Sequence, residues 1–265
     1  MRITFIGAGK MGGAILESLI KAKVAKASEI TVSDVCADRV AELAKRLKIK
    51  NAAVGAPEIF DGADVVFLAV KPQDLSAALA QVKSAAPLFI SIAAGKTTAW
   101  LESALPPKTR VVRVMPNLAL SAGQGMSAVC AGKYAKKSDV RLALKMFSCA
   151  GKAVELPESQ FDAVTALSGS GPAFYAYFAQ AMADAGAALG FAPETAAAFA
   201  MQTLLGTALV LSQSGISARD FMKAVASPKG TTAAGLEVLE KSALRSAVAK
   251  TLAAAARRSK ELSKG

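Results

Sequence analysis

At 265 residues and 53% hydrophobic content, the chain is long enough for one large or two ordinary domains with filled cores, which argues against disorder. It contains no histidine, so its chemistry lacks the commonest general acid near neutral pH and the commonest metal ligand. The net charge of +12 sits mainly in residues 1–151 (21 basic, 11 acidic), is scattered, and accompanies only 6% aromatics, so attraction of small anions explains it better than a nucleic-acid surface.

The chain opens with RITFIG at 2–7, a short apolar run with β-branched residues that predicts a strand, and Gly12 to Lys21 carries apolar residues at helical spacing. Between them, Gly7, Ala8, Gly9, Lys10, Met11 and Gly12 spell GxGxxG in the strand-turn-helix context that gives the motif physical meaning. Gly7 permits the tight turn, Gly9 lets a pyrophosphate approach the backbone, and Gly12 allows close helix packing. The helix N-terminus adds free amides and a positive dipole end. No basic, apolar and small-residue leader pattern precedes this segment, so a cytoplasmic protein is expected.

A second strand is predicted at Glu29 to Ser33 and a helix at Asp38 to Leu47. Asp34, 22 residues beyond Gly12, is placed to accept hydrogen bonds from an adenosine ribose and to repel a 2′-phosphate, which favours NADH. Arg39 and Ser33 are the opposite signal, since both suit a 2′-phosphate, so the cofactor expected is NADPH or NADH.

Further strands are predicted at Val65 to Val70, Leu88 to Ile92 and Arg110 to Met115. Alternating strands and helices imply a mostly parallel sheet whose ligand crevice lies at the carboxyl ends of the strands. The loops holding Ala69, Val70, Lys71 and Pro72, and Ala93, Ala94 and Gly95, should therefore line the cofactor crevice, with Asn117 as a further contributor. The three cysteines, Cys36, Cys130 and Cys149, are far apart and suggest neither a metal site nor a disulfide framework.

After Phe161 the pattern changes to long alanine-rich helices, broken at 190–193, 215–217, 227–230 and near Ser242. The stretch 196–212 comes nearest to a membrane span, but it carries Gln202, Thr203 and Thr207 and reads better as a buried interface helix. So much apolar helix surface in about 110 residues predicts packing against a second copy, a homodimer at least. Residues 1–152 should then form a Rossmann-type, doubly wound α/β domain, and residues 153–265 an all-α dimerisation and substrate domain.

The segment 226–233, ASPKGTTA, precedes a predicted helix running to about Glu240 and offers an anion site built from backbone amides, with Pro228 near the helix start. FMKAVASPKGTTAAGLEVLE, of which it is part, resembles the signature of the pyrroline-5-carboxylate reductases. FIGAGKMGGAI, LAVKPQ, SIAAGKTT, RVMPN and LSGSGPAF occur in the same order as in that family.

The resemblance implies reduction of the cyclic imine 1-pyrroline-5-carboxylate to L-proline by NAD(P)H, in a homodimer with interleaved helical domains and, in some members, higher assemblies. It places the substrate carboxylate on the loop of Ser227, Lys229, Gly230 and Thr231, sets Thr232 against the ring nitrogen as the catalytic group, and leaves Ser170 a secondary contact. Two departures stand out: Lys229 replaces the first glycine of SPGGTT, and Leu118-Ala119 replaces Thr-Pro after MPN. The Lys229 side chain either touches the carboxylate or points to solvent. Alternatives are a related imine reductase or β-hydroxyacid-type dehydrogenase and, from another class, a non-catalytic nucleotide-binding module.

Overall fold

The computed structural model describes residues 1–55, 60, 62–80 and 82–263. By backbone contacts these fall into two compact units, one of residues 1–170 with 254–265 and one of residues 171–253.

The first unit is built on an eight-stranded sheet. Its strands are β1 (Ile3–Ile6), β2 (Ile30–Asp34), β3 (Asn51–Val54), β4 (Val65–Leu68), β5 (Leu88–Ser91), β6 (Arg110–Met115), β7 (Gly125–Ala131) and β8 (Gly151–Glu155). They lie in the order β3-β2-β1-β4-β5-β6-β7-β8, parallel throughout except between β6 and β7. Chain order reverses between β1 and β4, where Ile6 pairs with Leu68, so the topological switch point opens at the end of β1.

Strands β1, β4 and β5 are buried at every position, as expected of parallel strands covered on both faces. On one face, Phe5 stacks on Phe67 at 4.4 Å within a core that Ile15, Leu16 and Leu19 complete from helix α1 (Lys10–Lys21). Val40 and Leu43 join from α2 (Ala37–Leu47), and Met146 and Phe147 from α5 (Lys137–Ser148), the helix between β7 and β8. The opposite face packs Val66, Leu68 and Phe89 against Leu75 and Leu79 of α3 (Leu75–Leu79) and Leu101 of α4 (Thr98–Ser103). Each such side chain taken from water contributes about 2 kcal/mol.

Three strands escape the sequence pattern. β3 and β8 are short and mostly exposed, and β7 starts from a glycine and interleaves small residues. The strands expected to run to Val70 and Ile92 stop at Leu68 and Ser91; past the first of them, Ala69 and Val70 border a cavity. The boundary expected at 152 falls inside β8. Residues up to 170 remain with the sheet because Phe161, which opens helix α6 (Phe161–Val164), is buried against Ala128 and Cys130 of β7.

The second unit is helical, with α7 (Gly171–Ala188), α8 (Pro193–Ser214), α9 (Ala218–Val225), α10 (Thr231–Lys241) and the start of α11 (Leu244–Leu262). Gly186 lets α7 and α8 approach, since a Cβ there would lie 3.2 Å from Ala196 Cβ. Within the single chain α8 buries only Ala196, and Tyr177, Met182, Phe199, Met201 and Leu205 stay exposed. Among the described residues, α8 alone is long and apolar enough to cross a membrane by length and composition.

Candidate active site

The glycine loop has the shape its sequence demands. Gly7 takes φ = +108° and a Cβ there would sit 2.5 Å from the Ala69 carbonyl oxygen. A Cβ on Gly12 would meet the Gly7 carbonyl oxygen at 2.5 Å, so both positions exclude any larger residue. Gly9, by contrast, faces open space and forms the N-cap of α1 with no side-chain cap. The amides at the start of α1 are thus left to an external anion, the fit that a dinucleotide pyrophosphate requires.

Asp34 ends β2 beside this loop. Its Oδ2 accepts the Ala8 N–H at 2.7 Å and its Oδ1 accepts the Cys36 N–H at 2.9 Å, while Gly7 N–H donates to the Ser33 carbonyl at 2.7 Å. A cavity of about 450 Å³ is bordered by Gly9, Ser33, Asp34, Arg39, Ala69, Val70 and Lys71, with Ala77 and Ala78 supplying an apolar wall. A neighbouring cavity of about 560 Å³ is bordered by Ala8, Gly9, Lys10, Arg39, Arg46 and Lys71. Ser33, only 3% exposed, touches the first cavity from within the sheet, whereas Arg39 is exposed in the first turn of α2. Arg46 had no signal in the motif; it lies seven residues after Arg39 on the same helix and pairs with Glu17 of α1.

The remaining expected cofactor residues lie outside these two cavities. Met11 packs partly buried against the core, and Pro72 opens a short helical turn after β4. Ala93 is buried; Gly95 takes φ = +76° and is covered by Leu262, from which a Cβ there would be 3.2 Å away. The same helix end is tied down by Ser259, whose hydroxyl donates to Asp162 Oδ1 at 2.7 Å.

Asn117 follows β6 and joins two segments. Its Oδ1 accepts the Met126 N–H at 3.1 Å and its Nδ2 donates to Ser168 Oγ at 3.2 Å. Leu118-Ala119, in place of the usual Thr-Pro, forms a short helical turn over 118–122, closed by Gly123 at φ = +72°. Ser168 lies in a π-helical turn, Thr165–Gly169, whose carbonyl at Thr165 accepts the Ser170 N–H at 2.8 Å. Such wide turns are common at functional sites, and here the LSGSG run is the only sequence trace of one.

A half-buried ion pair that the motifs did not reveal braces the loop after β5. Arg113 of β6, 3% exposed, donates to Glu158 at 2.8 Å and stacks over the Phe161 ring. Glu158 also accepts the Thr98 N–H at 2.8 Å and the Thr98 hydroxyl at 2.6 Å, which fixes the start of α4. Burial alone would raise the Glu158 pKa, but its bonds from Thr98 and Arg113 outweigh that and hold it below 4.5. Burial pushes the Cys130 thiol up to about 12, which leaves it protonated and unreactive.

The loop expected to hold substrate is a turn closed by the Gly230 N–H bonding the Ser227 carbonyl at 3.0 Å, with Lys229 in its third position at φ = +60°. Left-handed backbone at that position suits glycine, and Lys229 occupies it with its side chain exposed. Helix α10 begins at Thr231, so Pro228 belongs to the turn and not to the helix start. Gly230 is the N-cap and brings no side-chain cap, so the amides of the first turn, at Thr231, Thr232 and Ala233, point out of the helix start. A side chain at Gly230 would collide with the Ser227 hydroxyl. Thr232 is half-buried and Thr231 exposed.

Comparison with known proteins agrees with both units. Residues 158–262 match the family described as pyrroline-5-carboxylate reductase dimerisation, and residues 2–95 match NADP oxidoreductase coenzyme F420-dependent. The chain is 41% identical over 266 residues to a pyrroline-5-carboxylate reductase of Methanosarcina acetivorans, covering 99% of this chain and 98% of that one. It is 38% identical to the Synechocystis protein of the same name, covering 100% and 99%. A solved pyrroline-5-carboxylate reductase from Coxiella burnetii superposes with a TM-score of 0.92 at 33% identity, covering 100% and 99%. The Plasmodium falciparum pyrroline carboxylate reductase, solved with NADP bound, gives 0.87 at 27% identity, covering 99% and 98%.

Proposed function

The chain belongs to the pyrroline-5-carboxylate reductase family, and from that premise we propose that it reduces 1-pyrroline-5-carboxylate to L-proline with NAD(P)H. The observation that carries the reading is that two helices start without a side-chain cap behind turns that hold glycine, α1 at Gly9 and α10 at Gly230. The first suits the pyrophosphate of a dinucleotide, the second a substrate carboxylate.

When bound, the reduced nicotinamide supplies a hydride to the C=N carbon, while the ring nitrogen takes a proton and the imine becomes a secondary amine. The chain's own part is to bind, orient and protonate. The amides of Lys229 and Thr231, with the other free amides of the first turn of α10, hold the carboxylate and thereby fix which face of the ring is presented, while the Gly230 N–H closes the turn behind them, so positioning carries most of the rate. The Thr232 hydroxyl, in the first turn of α10, bonds the ring nitrogen and delivers the proton, to be restored from water. An imine is electrophilic enough on protonation that no imidazole is needed, in keeping with a chain devoid of histidine.

Asn117 and Ser170 act as supports in this reading, Asn117 by bracing the loop after β6 and Ser170 at the entry to α7. The apolar side chains that α7 and α8 expose, Tyr177, Met182, Phe199 and Leu205 among them, are the dimer contact, and dimers assemble further. The match of residues 158–262 to a dimerisation family supports the dimer. The unit built on the sheet is assigned to the cofactor, and the helical unit of residues 171–253 to substrate and dimerisation. The protein is assigned to the cytoplasm, with no membrane or nucleic-acid partner; its three free thiols are in keeping with a reducing compartment.

The test is the absorbance of NADH and of NADPH on addition of 1-pyrroline-5-carboxylate, with a β-keto acid as control. Oxidation with the imine alone is the expected result. Oxidation with the keto acid alone would make the chain a hydroxyacid-type dehydrogenase.

A further inference from the structure

We infer that Asp34 makes NADH, and not NADPH, the preferred electron donor of this chain, an inference that rests on the dinucleotide reading of the Gly7–Gly12 loop. The carboxylate borders the cavity next to Gly9 and is held there by two backbone N–H groups on opposite sides, Ala8 from the glycine loop at 2.7 Å and Cys36 from the turn into α2 at 2.9 Å. Rotating the side chain away would strand both donors, so the carboxylate is a fixed part of the wall. Each oxygen keeps a further lone pair, which two ribose hydroxyls can fill. A 2′-phosphate offers no such donor and brings like charge against a group that cannot retreat.

The opposing cations do not reverse this preference. Lys10 and Arg46 border only the second cavity, beside the start of α1, where they act on the pyrophosphate that both nucleotides share. Arg39 and Lys71 border both cavities, but each is exposed and its side chain has no hydrogen-bond or ion-pair partner among the described residues, so neither is fixed beside the ribose as Asp34 is. Arg46 is already paired with Glu17, and Glu42 borders the same cavity, which further reduces the charge available to a third phosphate. Ser33, the other residue suited to a 2′-phosphate, is 3% exposed within the sheet. Selection therefore falls to the charge beside the ribose.

The experiment is calorimetric titration of the full-length protein with NADH and with NADPH in the absence of imine, so that the readout is binding and not turnover. NADH is expected to bind at least about tenfold more tightly. Asp34→Asn, which keeps an acceptor for one N–H and removes the charge, is expected to narrow the ratio by strengthening NADPH binding, and Asp34→Ser to narrow it further. Equal or tighter binding of NADPH to the unaltered protein would overturn the inference without any variant, as would an Asp34→Asn protein that folds with an unchanged ratio. Binding of neither nucleotide would overturn the dinucleotide reading itself, and this inference with it.

Discussion

The Gly7 α-carbon faces the Ala69 carbonyl so closely that a single methyl group on it would lie 2.5 Å from that oxygen. This contact joins the end of β1 to the end of β4, the two strands between which the chain order reverses. It sets the mouth of the crevice, and with φ = +108° it leaves no alternative to glycine.

Gly7→Ala is therefore expected to lose about 2 kcal/mol of stability through backbone strain and collision. It should also lose most nucleotide binding, because the loop must move outward. Urea unfolding and NADH titration of the variant check both parts; unchanged binding would show that the loop tolerates displacement.

Glu158→Gln leaves Arg113 buried without a counter-charge. Glu158 is 28% exposed at its side chain, so solvent screens part of the loss, and about 2 kcal/mol is expected. Because the Glu158 pKa is depressed on folding, its contribution is fully present above the unfolded value near 4.5 and disappears as pH falls through the folded value. Unfolding midpoints followed from pH 6 to pH 3 should fall less steeply in Glu158→Gln than in the unaltered protein.

Lys229→Gly relieves a left-handed lysine in the substrate turn. A gain of about 0.5–1 kcal/mol is expected, the relief of strain offset in part by the freer unfolded chain. Since the side chain is exposed and the amide is retained, KM for the imine should stay the same; a marked rise would show that the ammonium group touches the carboxylate.

Thr232→Ala should lower kcat by at least about tenfold while the Kd for NADH is unchanged, because the hydroxyl acts on the substrate nitrogen. Stopped-flow single turnovers separate the two quantities. An unchanged kcat would remove Thr232 from proton delivery.

Local pattern carried the nucleotide half of this site and little of what braces it. Gly7, Gly9, Gly12 and Asp34 are spaced by a single strand-turn-helix-strand unit, so their roles are readable from chain order alone. Glu158 lies 45 residues from Arg113 and 60 from Thr98, and Ser168 lies 51 from Asn117. Contacts over such separations leave no periodicity in the sequence. Strands β3 and β8 were illegible for a different reason: with one or both faces exposed they lack the apolar run that marked β1, β4 and β5. Lys229 is the reverse case, since the departure from glycine was visible but its cost appears only in the backbone angle.

The measurement that bears most directly on imine reduction uses NADH carrying two deuterium atoms at C4, with 1-pyrroline-5-carboxylate as substrate and mass and NMR analysis of the product. The account predicts L-proline with one deuterium on the ring carbon bonded to nitrogen and opposite the carboxylate-bearing carbon, the former C=N carbon. Proline without deuterium, or no proline while the nucleotide is oxidised, would contradict hydride transfer to the imine as the function of this chain.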